Sequence, residues 1–231
     1  MFHIARILPI LRRKLDWEYR NLPSIRPVEA KLLDVGCGSG EFLLRAQEAG
    51  WNAIGVEPDK KAVEQANRHD LNVIQGDLKT FAEQQDIFDY ITLNHVLEHT
   101  HDPVAYIKDC YRLLKPGGII WIETPNIKSA GHKKFGKNWR GLEAPRHLTI
   151  FNHKSLHHVL VDAGFSSLKV TTRPLVATQM FAASSKIKLK IPMSSSGSIG
   201  RVPRIRAALE GLLQEFLPTR HEFITIIAVK D

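Results

Sequence analysis

An α/β fold built on a mostly parallel, helix-covered sheet is predicted by three features of the sequence. Short apolar runs alternate with segments of helical periodicity across residues 31–126. The runs are nearly continuous, as in strands buried on both faces, and do not alternate with polar residues. Glycine, proline or an acid punctuates each junction.

The elements follow in order. Residues 31–35 read as a buried strand ending at Gly36. Residues 41–49 place Phe42, Leu43, Ala46 and Ala49 on one helical face, stopped by Gly50. Residues 53–56 form a second strand, and Asp59 is placed to cap a helix over 60–68. Residues 72–75 and 90–93 are strands three and four. Pro103 opens a helix with Val104, Ile107, Tyr111 and Leu114 aligned, closed by Lys115-Pro116-Gly117-Gly118; residues 119–123 are strand five. Beyond Pro125 the pattern changes. Residues 127–150 read as a basic loop around Trp139, 154–163 as a helix, 167–172 as a strand and 176–191 as a basic helix. Residues 192–200 are rich in serine and glycine and expected to be mobile; 203–216 read as an amphipathic helix and 222–229 as a last strand.

With 231 residues, 43% of them hydrophobic and 24% charged, the chain can build a core without staples, which excludes disorder as its main state. Two cysteines exclude a disulfide scaffold. The net charge of +8 is uneven: residues 31–126 carry −6 and residues 127–231 carry +11. The basic flanks therefore point to an acidic partner. Ile4, Ile7, Leu8, Leu11 and Leu15 recur at helical spacing among arginines, so residues 1–30 read as a helical cap over the domain, with peripheral membrane contact as the other reading. No apolar run is long enough to span a bilayer, and the N-terminus lacks the cleavage signal of an exported protein, so a cytoplasmic location is expected, with membrane association through the basic flanks as the other reading.

The chemistry centres on Asp34-Val35-Gly36-Cys37-Gly38-Ser39-Gly40, between the first strand and first helix. Gly36, Gly38 and Gly40 allow a tight turn and close approach of a ligand, but their spacing is not that of the dinucleotide fingerprint, which opposes a nicotinamide oxidoreductase. Glu57, 21 residues after Gly36, can accept from both hydroxyls of a ribose. Asp77, after strand three, can accept from an adenine amine, and Asp34 can orient the turn or face an amino group. These groups describe an adenosine site with a charged tail.

These residues resemble the class I S-adenosylmethionine-dependent methyltransferases across residues 31–126. The segment Asn94-His95-Val96-Leu97-Glu98-His99, followed by Asp102-Pro103, is similar to a branch acting on quinone precursors, small molecules and glycans. The resemblance implies a Rossmann-like sheet of seven strands with an antiparallel last strand, the methyltransferase domain spanning 31–231 and a lid-like insertion at 173–221. It implies S-adenosyl-L-methionine as cofactor, with Leu78 and Asn94 joining Asp34, the three glycines, Glu57 and Asp77 around it.

Methyl transfer to oxygen needs in-line alignment, exclusion of water and a base. His147, in a segment running from Trp139 to Leu148 that also resembles the family, is the favoured base, with His95 second. Trp139, Arg146, Glu98 and His99 are expected to bind the acceptor. No zinc spacing is present, so no metal is expected. The acceptor is expected to be a small molecule, lipid-linked molecule or glycan. The alternative is a tRNA methyltransferase or a silent RNA-binding relative, favoured by the basic C-terminal part but opposed by the absence of an RNA module.

Overall fold

The computed structural model describes residues 9–24, 26–172, 176–194, 210, 213 and 217–231. The strands are β1 (Lys31–Val35), β2 (Asn52–Glu57), β3 (Val73–Gln75), β4 (Phe88–Asn94), β5 (Leu114–Pro125), β6 (Phe165–Thr171) and β7 (Phe223–Lys230). The helices are α1 (Pro9–Glu18), α2 (Glu41–Glu48), α3 (Lys60–Asn67), α4 (Pro103–Leu113), α5 (Ala130–Phe135), α6 (His153–Asp162) and α7 (Ala177–Lys188). The strands form one sheet in the order β3-β2-β1-β4-β5-β7-β6. β1 pairs in parallel with β2 and β4, while β7 runs antiparallel to both β5 and β6. The strand order reverses between β1 and β4, so a ligand cleft opens at their carboxyl ends. The expected seven-stranded sheet with its antiparallel last strand is what the chain adopts.

The two faces of the sheet differ in chemistry. Leu33, Val35, Ile91, Leu93, Ile120 and Ile122 pack against α4 and α6 in an all-apolar core. On the other face Leu32, Tyr90 and Trp121 pack with α2 and with Trp17 and Leu22 of the N-terminal segment. Because side chains alternate along a strand, that second face continues toward the carboxyl edge through Asp34, Thr92, Glu123 and Thr225. All four are fully buried. A buried charge requires partners, and the N-terminal segment supplies them.

Two elements differ from the sequence reading. β5 begins at Leu114, which pairs with Phe88 ahead of the glycine turn, so both strands are longer than their apolar runs. The basic segment 127–150 is not simply a loop: it contains α5, capped by Ser129 accepting from the His132 N–H, and two single 3₁₀ turns. Elements of one or two turns carry too few periodic positions to be recognised. Apart from residues 210 and 213, the expected helix over 203–216 lies outside the described residues, as do most of the Ser/Gly stretch 192–200 and residues 1–8. No helix among the described residues is long and apolar enough to cross a membrane.

Candidate active site

The glycine turn leaves β1 with Gly36, Gly38 and Gly40 at φ of 66°, 55° and 85°, a region that favours glycine. The three serve different ends. A Cβ on Gly36 would lie 2.6 Å from Val96 Cγ2, and one on Gly40 2.3 Å from Leu71 Cδ1; at Gly38 nothing lies within 4 Å. Gly36 and Gly40 are therefore packing glycines, whereas the space over Gly38 is open to a ligand. Gly38→Ala should cost about 1–2 kcal/mol in unfolding free energy, from the left-handed backbone, and lose cofactor affinity by more than that. Equal losses in denaturation and in calorimetric titration would refute a ligand-facing role.

Two cavities share Gly36 as a wall. The first, of about 460 Å³, is bordered by Trp17, Arg20, Gly38, Phe42 and Asn94. The second, of about 390 Å³, is bordered by Glu57, Asp77, His95, His99, Tyr106 and Arg146. Glu57, at the end of β2, accepts from the Gly38 N–H at 2.9 Å and from the Asp59 N–H at 3.0 Å, which fixes the carboxylate against the turn. Asp77 is exposed and accepts from the Lys79 N–H with one oxygen. Asn94 Oδ1 is buried without a hydrogen-bond partner at the first cavity, where a ligand amino group would satisfy it. A ribose acceptor, an exposed carboxylate for an amine and an orphaned amide oxygen fit an adenosyl cofactor with an amino-acid tail.

The histidines form two separate groups. His95 stands in the left-handed region (φ 56°) just past β4. Its Nδ1 lies 3.1 Å from Glu98 and its Nε2 3.4 Å from Glu123, both fully buried carboxylates. These two partners outweigh burial and raise its pKa to about 9. His99 and His147 meet edge to face, ring centroids 4.8 Å apart. His99 Nδ1 is 3.0 Å from the Arg146 carbonyl and His147 Nδ1 is 2.8 Å from the Gly141 carbonyl. A carbonyl only accepts, so each Nδ1 carries a proton in these contacts, and His147 Nε2 lies 3.8 Å from a Glu143 carboxylate oxygen. Burial holds the His147 imidazole below its ordinary pKa.

A family profile described as a methyltransferase domain matches residues 7–170. The chain belongs to this methyltransferase family. It is 32% identical over 163 residues to the ubiquinone biosynthesis O-methyltransferase of Idiomarina loihiensis, covering 62% of this chain and 64% of that one. It is 30% identical over 137 residues to the protein of the same name from Aliivibrio fischeri, covering 50% and 58%. The chain thus spans about six tenths of the length of these two relatives. A SAM-dependent methyltransferase from Archaeoglobus fulgidus shares the fold, with a TM-score of 0.61 at 22% identity over 98% of this chain and 94% of that one.

The methyltransferase fold assigns several predicted site residues other surroundings. Asp34 is fully buried and ion-paired with Arg20 while accepting from the Thr92 hydroxyl, so Arg20 takes the place expected for a ligand amino group. Leu78 lies in the core, which leaves only its backbone for a ligand. Trp139 is buried with Val176, Met180 and Phe223, and its indole donates to Glu222 at 2.7 Å, so it is core and not an acceptor platform. Glu98 is fully buried, held by His95 and by the Thr124 hydroxyl at 3.0 Å, and so does not face an acceptor. His95 has both ring nitrogens engaged and a raised pKa, which unsuits it as a base at neutral pH. His147 stands behind His99, which borders the second cavity as His95 does. Glu98, His99 and His147 bring their ligand atoms within 4.8 Å of one another, the one such group found among the described residues. Both Glu98 oxygens are already hydrogen-bonded, and no step is derived through a metal there.

Sequence reasoning missed Trp17, Arg20 and Phe42, which wall the first cavity. The Arg20 guanidinium lies 3.8 Å over the Phe42 ring and donates to Thr92 at 2.8 Å. The available signal was indirect: Asp34 and Glu123 interrupt otherwise apolar strands, and such charges demand partners from elsewhere.

Proposed function

We propose that the chain is an S-adenosyl-L-methionine-dependent O-methyltransferase acting on a small hydroxylated, quinone-related molecule. The observation that carries this reading is the pair of cavities meeting at Gly36: Asn94 borders the first, and Glu57, Asp77 and the histidines border the second, so a cofactor lying across Gly36 would put its amino-acid tail in the first and its adenosine in the second, beside His99. The names of the relatives at about 30% identity support the acceptor class. Bound there, the cofactor supplies an already activated methyl group. Glu57 accepts from the ribose hydroxyls, Asp77 from the adenine amine, and Asn94 Oδ1 from the amino group of the tail. His99, its Nδ1–H fixed on the Arg146 carbonyl, presents Nε2 to the acceptor hydroxyl and takes its proton as the oxygen–methyl bond forms. His147 packs behind it and sets the angle of the ring.

A nucleic-acid acceptor has less support. Arg140 and Arg146 pair with Glu143, Arg220 pairs with Glu210, and Trp139 is interior, so neither free cations nor a stacking ring are offered at these positions. A lipid-linked acceptor is favoured by exposed Leu189 and Met193 beside Lys186, Lys188 and Lys190 near the end of α7. Purified protein should transfer labelled methyl from S-adenosylmethionine to dihydroxylated benzoates or polyprenylated phenols. His99→Gln should lower kcat about a hundredfold with cofactor affinity retained. A variant with undiminished kcat removes His99 as the base, and labelling of RNA in place of phenols overturns the acceptor class.

A further inference from the structure

His95 joins two walls of the site that the chain builds from distant segments. On one side, the Trp17 indole donates to Glu123 Oε2 at 2.6 Å, and the Thr225 hydroxyl donates to the same oxygen at 2.9 Å. Trp17 belongs to α1 and walls the first cavity. The other oxygen of Glu123 faces His95 Nε2 at 3.4 Å. On the far side, His95 Nδ1 meets Glu98 Oε1 at 3.1 Å. The backbone carbonyl of Glu98 in turn accepts from the N–H of Leu148 at 2.7 Å and of Thr149 at 3.3 Å. Those amides follow Arg146 and His147 directly, so they hold the segment that orients His99.

Two carboxylates with no exposure would repel each other and lose hydration without a cation between them. The His95 ring is that cation, and its pKa of about 9 is the consequence. Its backbone is also fixed: the His95 N–H donates to the Glu123 carbonyl at 2.9 Å, and the ring packs edge-on to Phe223 at 4.7 Å.

We propose that His95 is a positioning residue, clamped between Glu98 and Glu123, that locks the N-terminal wall of the first cavity to the 146–149 segment beside the second. These contacts form one unbroken path, Trp17–Glu123–His95–Glu98–Leu148. A change at Trp17 is therefore felt at the Leu148 and Thr149 amides, provided His95 is present. The inference does not rest on the proposed reaction, and its test is made on the unliganded chain.

The test is amide hydrogen exchange and ¹⁵N NMR at pH 7 on the wild type, Trp17→Phe, His95→Asn and the double variant. Asparagine tolerates the left-handed backbone at position 95, so His95→Asn removes the cation with little strain. The wild type should show both His95 ring nitrogens protonated, a signature that Glu123→Gln should weaken. Trp17→Phe should speed exchange at Leu148 and Thr149 about tenfold, the factor for loss of one good hydrogen bond in the path. In the His95→Asn background the same change should have no further effect there. Equal effects of Trp17→Phe with and without His95 overturn the proposal, as does a neutral His95 ring in the wild type. Circular dichroism separates loss of the lock from loss of the fold. If His95→Asn does not fold, the ring signature and the Trp17→Phe result still decide the question.

Discussion

Glu57→Ala should weaken S-adenosyl-L-methionine binding at least a hundredfold. The carboxylate ends β2 at the cavity wall, with its oxygens steadied by the Gly38 and Asp59 amides. Each oxygen has a further lone-pair direction for a ribose hydroxyl, and hydrogen bonds to a charged group are worth about 1.5–3 kcal/mol each. Two such bonds amount to roughly two to four decades in Kd at 1.4 kcal/mol per decade. The variant also frees the Gly38 N–H, so the turn loses the contact that holds it in its binding shape. Glu57→Gln keeps an acceptor and the size of the side chain and should fall between the two. Isothermal titration with S-adenosylhomocysteine, paired with a thermal melt, makes the measurement. An unchanged Kd in a folded Glu57→Ala protein would exclude Glu57 from the site.

What was legible in the sequence follows from how local each signal is. Gly36, Gly38, Gly40, Glu57 and Asp77 all stand at strand ends in a repeating β-α unit, so spacing alone brought them to one edge. The Asp59 cap was equally local, accepting from the Lys61 amide two residues on. The partners of Asp34 and Glu123 were not legible. Arg20 and Trp17 reach them from a segment whose place over the sheet is set by tertiary packing, with Tyr90 donating to the Arg20 carbonyl at 2.8 Å and Trp121 to Asn21 at 3.1 Å. The surroundings of the histidines were not legible for the same reason. His95 and His99 both border the second cavity, yet His95 has both ring nitrogens against buried acids while His99 Nδ1 meets a backbone carbonyl. Only the neighbouring strands β5 and β7 decide which is which.

The Arg20–Asp34 pair gives the largest stability effect expected in the molecule. Asp34 has no exposure, and burial drives its pKa up more strongly than Arg20 and Thr92 drive it down. Arg20 donates to both Asp34 and Thr92 and lies over Phe42, so it supplies charge, hydrogen bonds and packing together. Arg20→Ala leaves Asp34 buried without its cation, a change that typically costs about 3–5 kcal/mol. The sign of the pH dependence follows. Without Arg20 the folded-state pKa of Asp34 rises further above its unfolded value near 4, so the native state binds the proton more tightly than the unfolded state. Below pH 4 both states hold the proton and the charge penalty is absent. As pH rises through the interval between the two pKa values the penalty develops, and it is complete above the folded value. The deficit of Arg20→Ala relative to wild type should therefore be large at pH 7 and shrink toward pH 4, leaving the lost packing against Phe42 and the lost hydrogen bond to Thr92. Adding Asp34→Asn should recover much of the deficit at pH 7, since a neutral amide in that position needs no cation. Urea denaturation of the wild type, Arg20→Ala, Asp34→Asn and the double variant at pH 7 and pH 4.5 tests this. A deficit that does not change with pH, or that Asp34→Asn deepens, would show that Arg20 stabilises the fold by packing and not by compensating the buried acid.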